Sequence, residues 1–90
     1  MLDIVLSNQF RRDLKLAAKR GYDLNLLDEI VTKLANKEIL PEKNRDHNLT
    51  GKYARFRKCH IQSDWLLVYR VEETEIILFL SRTGTHADLF

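Results

Sequence analysis

Three histidines and one aspartate are the side chains with chemistry to offer. His47, His60 and His86 all lie in the second half of the chain, and Asp64 follows His60 by one tight turn. An imidazole titrates near neutrality, so one copy can take a proton while another gives one. The set admits three readings. The histidines can be surface residues with no shared role. They can ligate a metal, since His₃ and His₃Asp sets bind zinc, although no HxxxH or HxH spacing is present and the ligands would come from three separate elements. Or they can perform acid–base catalysis. Cleaving RNA through its own 2′-hydroxyl needs a base for that hydroxyl, an acid for the departing 5′-oxygen, and cations for the phosphorane. Arg57, Lys58 and Arg82 are close enough in sequence to serve the phosphate, and no metal or other cofactor is required. Trp65, next to Asp64, and Phe90, four residues past His86, could stack on bases, at about 1–3 kcal/mol per base. The plain alternatives are sheet core for Trp65 and an apolar latch for Phe90.

Those residues need a scaffold, and the hydrophobic pattern supplies one. Asp3 to Leu6 is apolar and β-branched, a short strand. Ser7 or Asn8 can cap a helix whose inner face carries Phe10, Leu14 and Ala17 and whose outer face carries Arg11, Arg12, Lys15 and Lys19. Gly21 ends it, Asp23 caps a second helix with Leu24, Leu27, Val31, Leu34 and Ala35 inward, and the short link makes an antiparallel hairpin. Glu42 to Lys52 reads as a polar loop holding His47. Three strands follow, Arg55–Ile61, Trp65–Val71 and Glu75–Arg82, joined by tight turns. The expected order is β-α-α-β-β-β with a short C-terminal tail. This is an α+β two-layer domain: an antiparallel sheet with the first strand at an edge, the helical hairpin on one face and the other face open. Two regular hairpins bring the ends of the first and third of these strands to the same side, so His60 and His86 should emerge together at one end of the sheet.

Bulk properties bound the class. Ninety residues make one domain, 1–90, and 44% hydrophobic with 31% charged residues fits a soluble globular chain. A net charge of +2 permits nucleic-acid binding without demanding it. The clusters Arg11, Arg12, Lys15, Lys19, Arg20 and Lys52, Arg55, Arg57, Lys58 are either solvated faces or contacts for RNA. One cysteine, Cys59, excludes an internal disulfide and suggests a reducing compartment. Asp3 stands where a signal peptide would be basic, and no apolar run approaches membrane-spanning length, so the expected location is the cytoplasm.

Three stretches together resemble a known family. Asp46-His47-Asn48-Leu49-Thr50-Gly51, the run from Cys59-His60 through Asp64-Trp65 to Tyr69, and Arg82-Thr83-Gly84-Thr85-His86-Ala87-Asp88-Leu89-Phe90 resemble the YafQ branch of the RelE superfamily, toxins of bacterial toxin–antitoxin modules. The resemblance covers nearly the whole chain and rests on the combination, since any one stretch is weak. It implies a microbial RNase-like fold and a ribosome-dependent endonuclease cutting mRNA in the A site without metal. It implies a catalytic set of His47, His60, Asp64 and His86, with Phe90 also important. We take His86 as general acid and Asp64 or His60 as base. It implies a DinJ-type antitoxin as partner, with operator DNA contacted only through that antitoxin. Lys58 departs from the family, which often carries an acidic residue there, and shifts local charge toward positive. The competing functions are a non-catalytic binding module and an RNase that needs no ribosome. All four catalytic positions are present, against loss of the site, and so small a surface favours positioning by the ribosome.

Overall fold

Ser7 starts the helical layer and ties it to the sheet. In the computed structural model, which describes all residues from Met1 to Phe90, its hydroxyl accepts from Phe10 N at 2.9 Å and donates to Ser81 O at 2.7 Å. Helix α1 spans Asn8–Lys19 and α2 spans Leu24–Ala35, the latter capped by Asp23 on Asn25 N. Gly21, at φ +77°, takes the left-handed turn that ends α1, a conformation cheap only for glycine. Phe10, Ala17, Leu27, Ile30, Val31, Leu34 and Ala35 pack on Cys59, Trp65, Leu67, Tyr69, Leu78 and Leu80 of the sheet. Asp13, also on the inner face of α1, is 7% exposed. It is tolerable there because Arg82 and the Thr83 N–H satisfy its carboxylate.

The sheet order is β1-β5-β4-β3-β2, with β1 Asp3–Leu6, β2 His47–Asn48, β3 Arg57–Gln62, β4 Trp65–Glu72 and β5 Ile77–Gly84. β3, β4 and β5 are antiparallel as expected, and β2 adds a short antiparallel strand at the far edge. β1 is at an edge but runs parallel to β5, Asp3 opposite Ile77, so the sheet is mixed. A long crossover permits parallel pairing, and the helical hairpin is part of one here.

Three further expectations are corrected. The polar segment after Pro41 is not a plain loop. It forms a 3₁₀ turn at Glu42–Asn44, the two-residue β2, and a second 3₁₀ turn at Gly51–Tyr53. Two exposed polar residues carry no alternation that could reveal a strand. The tail folds as one helical turn, α3, His86–Leu89. And the second sheet face is not open. Leu66 and Val68 alternate with the helix-facing Trp65, Leu67 and Tyr69, yet are 0% and 3% exposed. Aromatic side chains roof this face: Tyr53 meets Phe56 and Phe90 edge-on, and Arg70 lies over both Phe56 and Phe79. The thin roof puts the second 3₁₀ turn and the tail on the same side as His60, whose cross-strand neighbour is Leu66.

Candidate active site

Two irregularities in the strands set the site. A bulge between His60 and Gln62 bends the end of β3 into the turn that carries Asp64. At the end of β5, Thr85 caps α3 and delivers His86 as its first residue. There Asp64 Oδ1 accepts twice, from the His86 backbone N–H at 3.0 Å and from His86 Nδ1–H at 2.7 Å. The His60 and His86 rings stand 5.5 Å apart, tilted by 56°. The expected meeting of His60 and His86 at one sheet end is therefore observed. Asp64, however, grips His86 rather than its sequence neighbour His60.

Each imidazole is anchored through the same atom. His47 Nδ1–H donates to Arg45 O at 2.7 Å, His60 Nδ1–H to Ser63 O at 3.3 Å, and His86 Nδ1–H to Asp64. A carbonyl or carboxylate partner fixes the tautomer and leaves Nε2 as the working nitrogen. The electrostatics separate the groups. Burial holds His60 below its ordinary 6.5, against the Ser63 bond, helped by the positive charges of His86, Arg45 and Lys58. The two hydrogen bonds from His86, backbone first, hold the Asp64 carboxyl below the usual carboxylate range. Near neutrality His60 is thus a free base and Asp64 an anion. The three Nε2 atoms are what a metal would use, although no three His, Cys, Asp or Glu side chains are arranged to hold one.

α3 is held from two sides. Thr85 accepts from Asp88 N at 3.1 Å while Asp88 Oδ2 accepts from Thr85 N at 2.9 Å, a complete capping box. Arg20, at the end of α1, then clasps the same carboxylate with two nitrogens, at 2.6 and 3.2 Å. This bidentate partner and the cap drive the Asp88 carboxyl far below its ordinary range.

The other expected residues divide. His47 lies opposite Lys58, so it shares a face with Lys58 and His60, one diagonal step from His60. Lys58 Nζ sits 5.0 Å from the centre of the Phe90 ring, and Phe90 stays 56% exposed against Tyr53. Two phosphate or base contacts are corrected. Trp65 is 1% exposed on the helix side, packed on Tyr22 with Nε1 donating to Thr83 Oγ1. It is core and has no face for a base. Arg57 alternates with Lys58 to the helix side, where Asp46, Asn48 and Tyr69 take its guanidinium. It fastens β2 to the sheet. Arg82 gives Nε and Nη2 to Asp13 and keeps Nη1 unbonded. Sequence reasoning missed Tyr53, Arg20, Asp13 and Asp88. The Thr85-x-x-Asp88 spacing was a readable capping signal; nothing announced that Arg20 would meet it from 68 residues away.

A helical hairpin on a five-stranded sheet, with paired histidines and a carboxylate at one sheet end, is the architecture of the small RelE-like toxins. The chain belongs to the family of bacterial toxins of type II toxin–antitoxin systems described as YafQ, whose model matches residues 2–90. The mRNA interferase toxin YafQ of Escherichia coli K12 is 43% identical over 89 residues, 98% of this chain and 95% of that one. A metal-bound toxin from Helicobacter pylori superposes with a TM-score of 0.95 at 46% identity, covering all of both chains. The E. coli DinJ–YafQ toxin–antitoxin complex superposes with a TM-score of 0.89 at 41% identity, over 99% of this chain and 97% of that one.

Proposed function

We propose that this toxin is an mRNA interferase that cleaves RNA through its 2′-hydroxyl by acid–base catalysis on the translating ribosome, in the A site. The observation that carries the mechanism is the shared Nδ1 anchoring, with Asp64 clamping His86 5.5 Å from a neutral His60. His60 Nε2 takes the 2′-hydroxyl proton and the 2′-oxygen attacks phosphorus. His86 Nε2–H protonates the departing 5′-oxygen, with Asp64 stabilising its charge before transfer. This leaves a 2′,3′-cyclic phosphate and a free 5′-hydroxyl. Asp64 is the poorer base, because its proton affinity is lowered and Oδ1 already accepts twice. Lys58 and the open Nη1 of Arg82 offset phosphorane charge, His47 lines the same face beside Lys58, and Phe90 stacks on a base. A small surface of net charge +2 needs the ribosome to present the strand. The setting is therefore the cytoplasm. A DinJ-like antitoxin is the partner, and operator DNA is reached only through it.

No helix is long and apolar enough to cross a membrane. The metal-bound Helicobacter relative favours a second reading, in which a bound cation takes part, although these side chains are not arranged as a metal site. One experiment separates the two. Induced toxin should arrest growth and cut mRNA only with ribosomes present, and His86→Ala should lose about 10²–10⁴-fold in cleavage while remaining folded. Cutting that survives EDTA supports proton transfer alone. Cutting lost in EDTA and restored by Zn²⁺ supports the metal, and undiminished cutting by His86→Ala refutes the mechanism.

A further inference from the structure

The first 3₁₀ turn forms the wall of a cleft that the reaction above does not use. The cleft, of about 350 Å³, lies beside His60 and is bounded by Lys43, Asn44, Arg45, Gln62 and Ser63. His60 lines it and His86 does not. Two cations border it. Neither Lys43 nor Arg45 has an ion-pair partner. No carboxylate lines it, and the buried, unpartnered Asn44 Oδ1 is sealed from solvent.

The wall is built to hold its shape. Asn44, 4% exposed between the two cations, donates Nδ2–H to His60 O at 2.7 Å and so pins the turn to β3. Arg45 adopts φ +46°, a left-handed conformation unusual for a residue with a Cβ, and its carbonyl holds His47 Nδ1. One residue therefore orients His47 with its backbone and lends its side chain to the His60 cleft. Its charge is also among those that hold His60 low.

We propose that this cleft is a second phosphate subsite, in which Lys43 and Arg45 hold the phosphodiester one nucleotide along the RNA from the scissile one. The inference rests on the reading of the site as an RNA-cleaving centre. A flanking phosphate held there fixes the strand across His60, so that the scissile phosphate falls between His60 and His86. It also offsets the two cations beside His60.

The test uses the full-length His86→Ala protein and a short single-stranded RNA, with binding followed by fluorescence anisotropy from low to moderate salt. Lys43→Gln with Arg45→Gly should weaken binding about tenfold and flatten the slope of log Kd against log salt by about 0.7, the value for one single-strand phosphate. Glycine is chosen at position 45 because it accepts the positive φ, so the turn and the His47 bond persist. Arg45→Lys should retain most of the affinity. An unchanged slope in the double variant, or no RNA binding by the His86→Ala parent even at low salt, would overturn the subsite. Inorganic phosphate separates a simple anion hole from a strand-binding site. Competition by phosphate at concentrations matching the RNA would overturn the strand assignment, and RNA preference over phosphate supports it. RNA bound as described but never cut on ribosomes by the toxin with His86 intact would sink the catalytic reading and leave the subsite standing.

Discussion

Gly84 is the position where one methyl group tests the whole tail. A Cβ on Gly84 falls 2.9 Å from Asp88 Oδ2 and 3.0 Å from Asp88 Cβ, and ordinary contact begins at 3.4 Å. The Asp88 side chain must therefore retreat by about half an ångström to bring 2.9 Å to ordinary contact at 3.4 Å. That carboxylate oxygen is the one that caps Thr85 N at 2.9 Å and meets Arg20 at 2.6 Å, so the same step stretches both bonds. Losing a helix cap costs roughly 1 kcal/mol. A domain of ninety residues holds about 5–13 kcal/mol in total, so Gly84→Ala stays folded at 25 °C. Its melting temperature should fall by roughly 4–8 °C per kcal/mol lost. Activity should fall further than stability does. α3 carries His86 as its first residue, and a displacement near 1 Å at a catalytic group can cost about a hundredfold. The paired measurement is thermal unfolding by circular dichroism and mRNA cleavage on ribosomes at 25 °C. A Gly84→Ala protein with unchanged Tm and full cleavage would show that neither the cap nor the clasp positions His86.

Two other outcomes follow from the site. Trp65→Phe removes the donor to Thr83 Oγ1, which keeps its own bond to Leu66 O, so stability should drop by about 1–3 kcal/mol with RNA affinity per folded molecule unchanged. Urea unfolding and anisotropy check it, and a selective loss of RNA affinity would return Trp65 to the binding surface. His60 is held below 6.5 and so prefers the neutral state in the folded protein. The unfolded chain therefore binds more protons just below neutrality, and this group's contribution weakens stability as pH falls through about 6.5 toward its lower folded value. The acidic limb of cleavage should sit below 6.5 for the same reason. A limb above 6.5, or one unmoved by His60→Gln, would remove His60 as the base.

Much of this was legible in the chain because the signals were local. The capping residues Ser7 and Asp23, the stop at Gly21 and two short turns defined the helical hairpin and three of the strands. The turns alone brought His60 and His86 to one end. What escaped depended on contacts that no local pattern encodes. Trp65 to Val71 is almost uniformly apolar, so its alternation could not say which side Trp65 faced, and a central strand buried on both faces explains why. Arg57 and Lys58 are adjacent cations, yet the pleat sends one to Asp46 and the other to Phe90. The polarity of β1 was hidden because either direction buries the same edge. Asp13 looks like any solvated helix carboxylate until Arg82 arrives from 69 residues away.

The parallel pairing of β1 with β5 has a consequence for synthesis. Asp3 must wait for Ile77, and Ser7 for Ser81, so the sheet can close only when nearly every residue described has left the ribosome. α3 comes later still, and with it the backbone N–H and imidazole that complete Asp64. A nascent chain cut short before His86 carries His47 and His60 but gives Asp64 nothing to clamp. On the mechanism proposed above, the site therefore becomes complete only once α3 has been made.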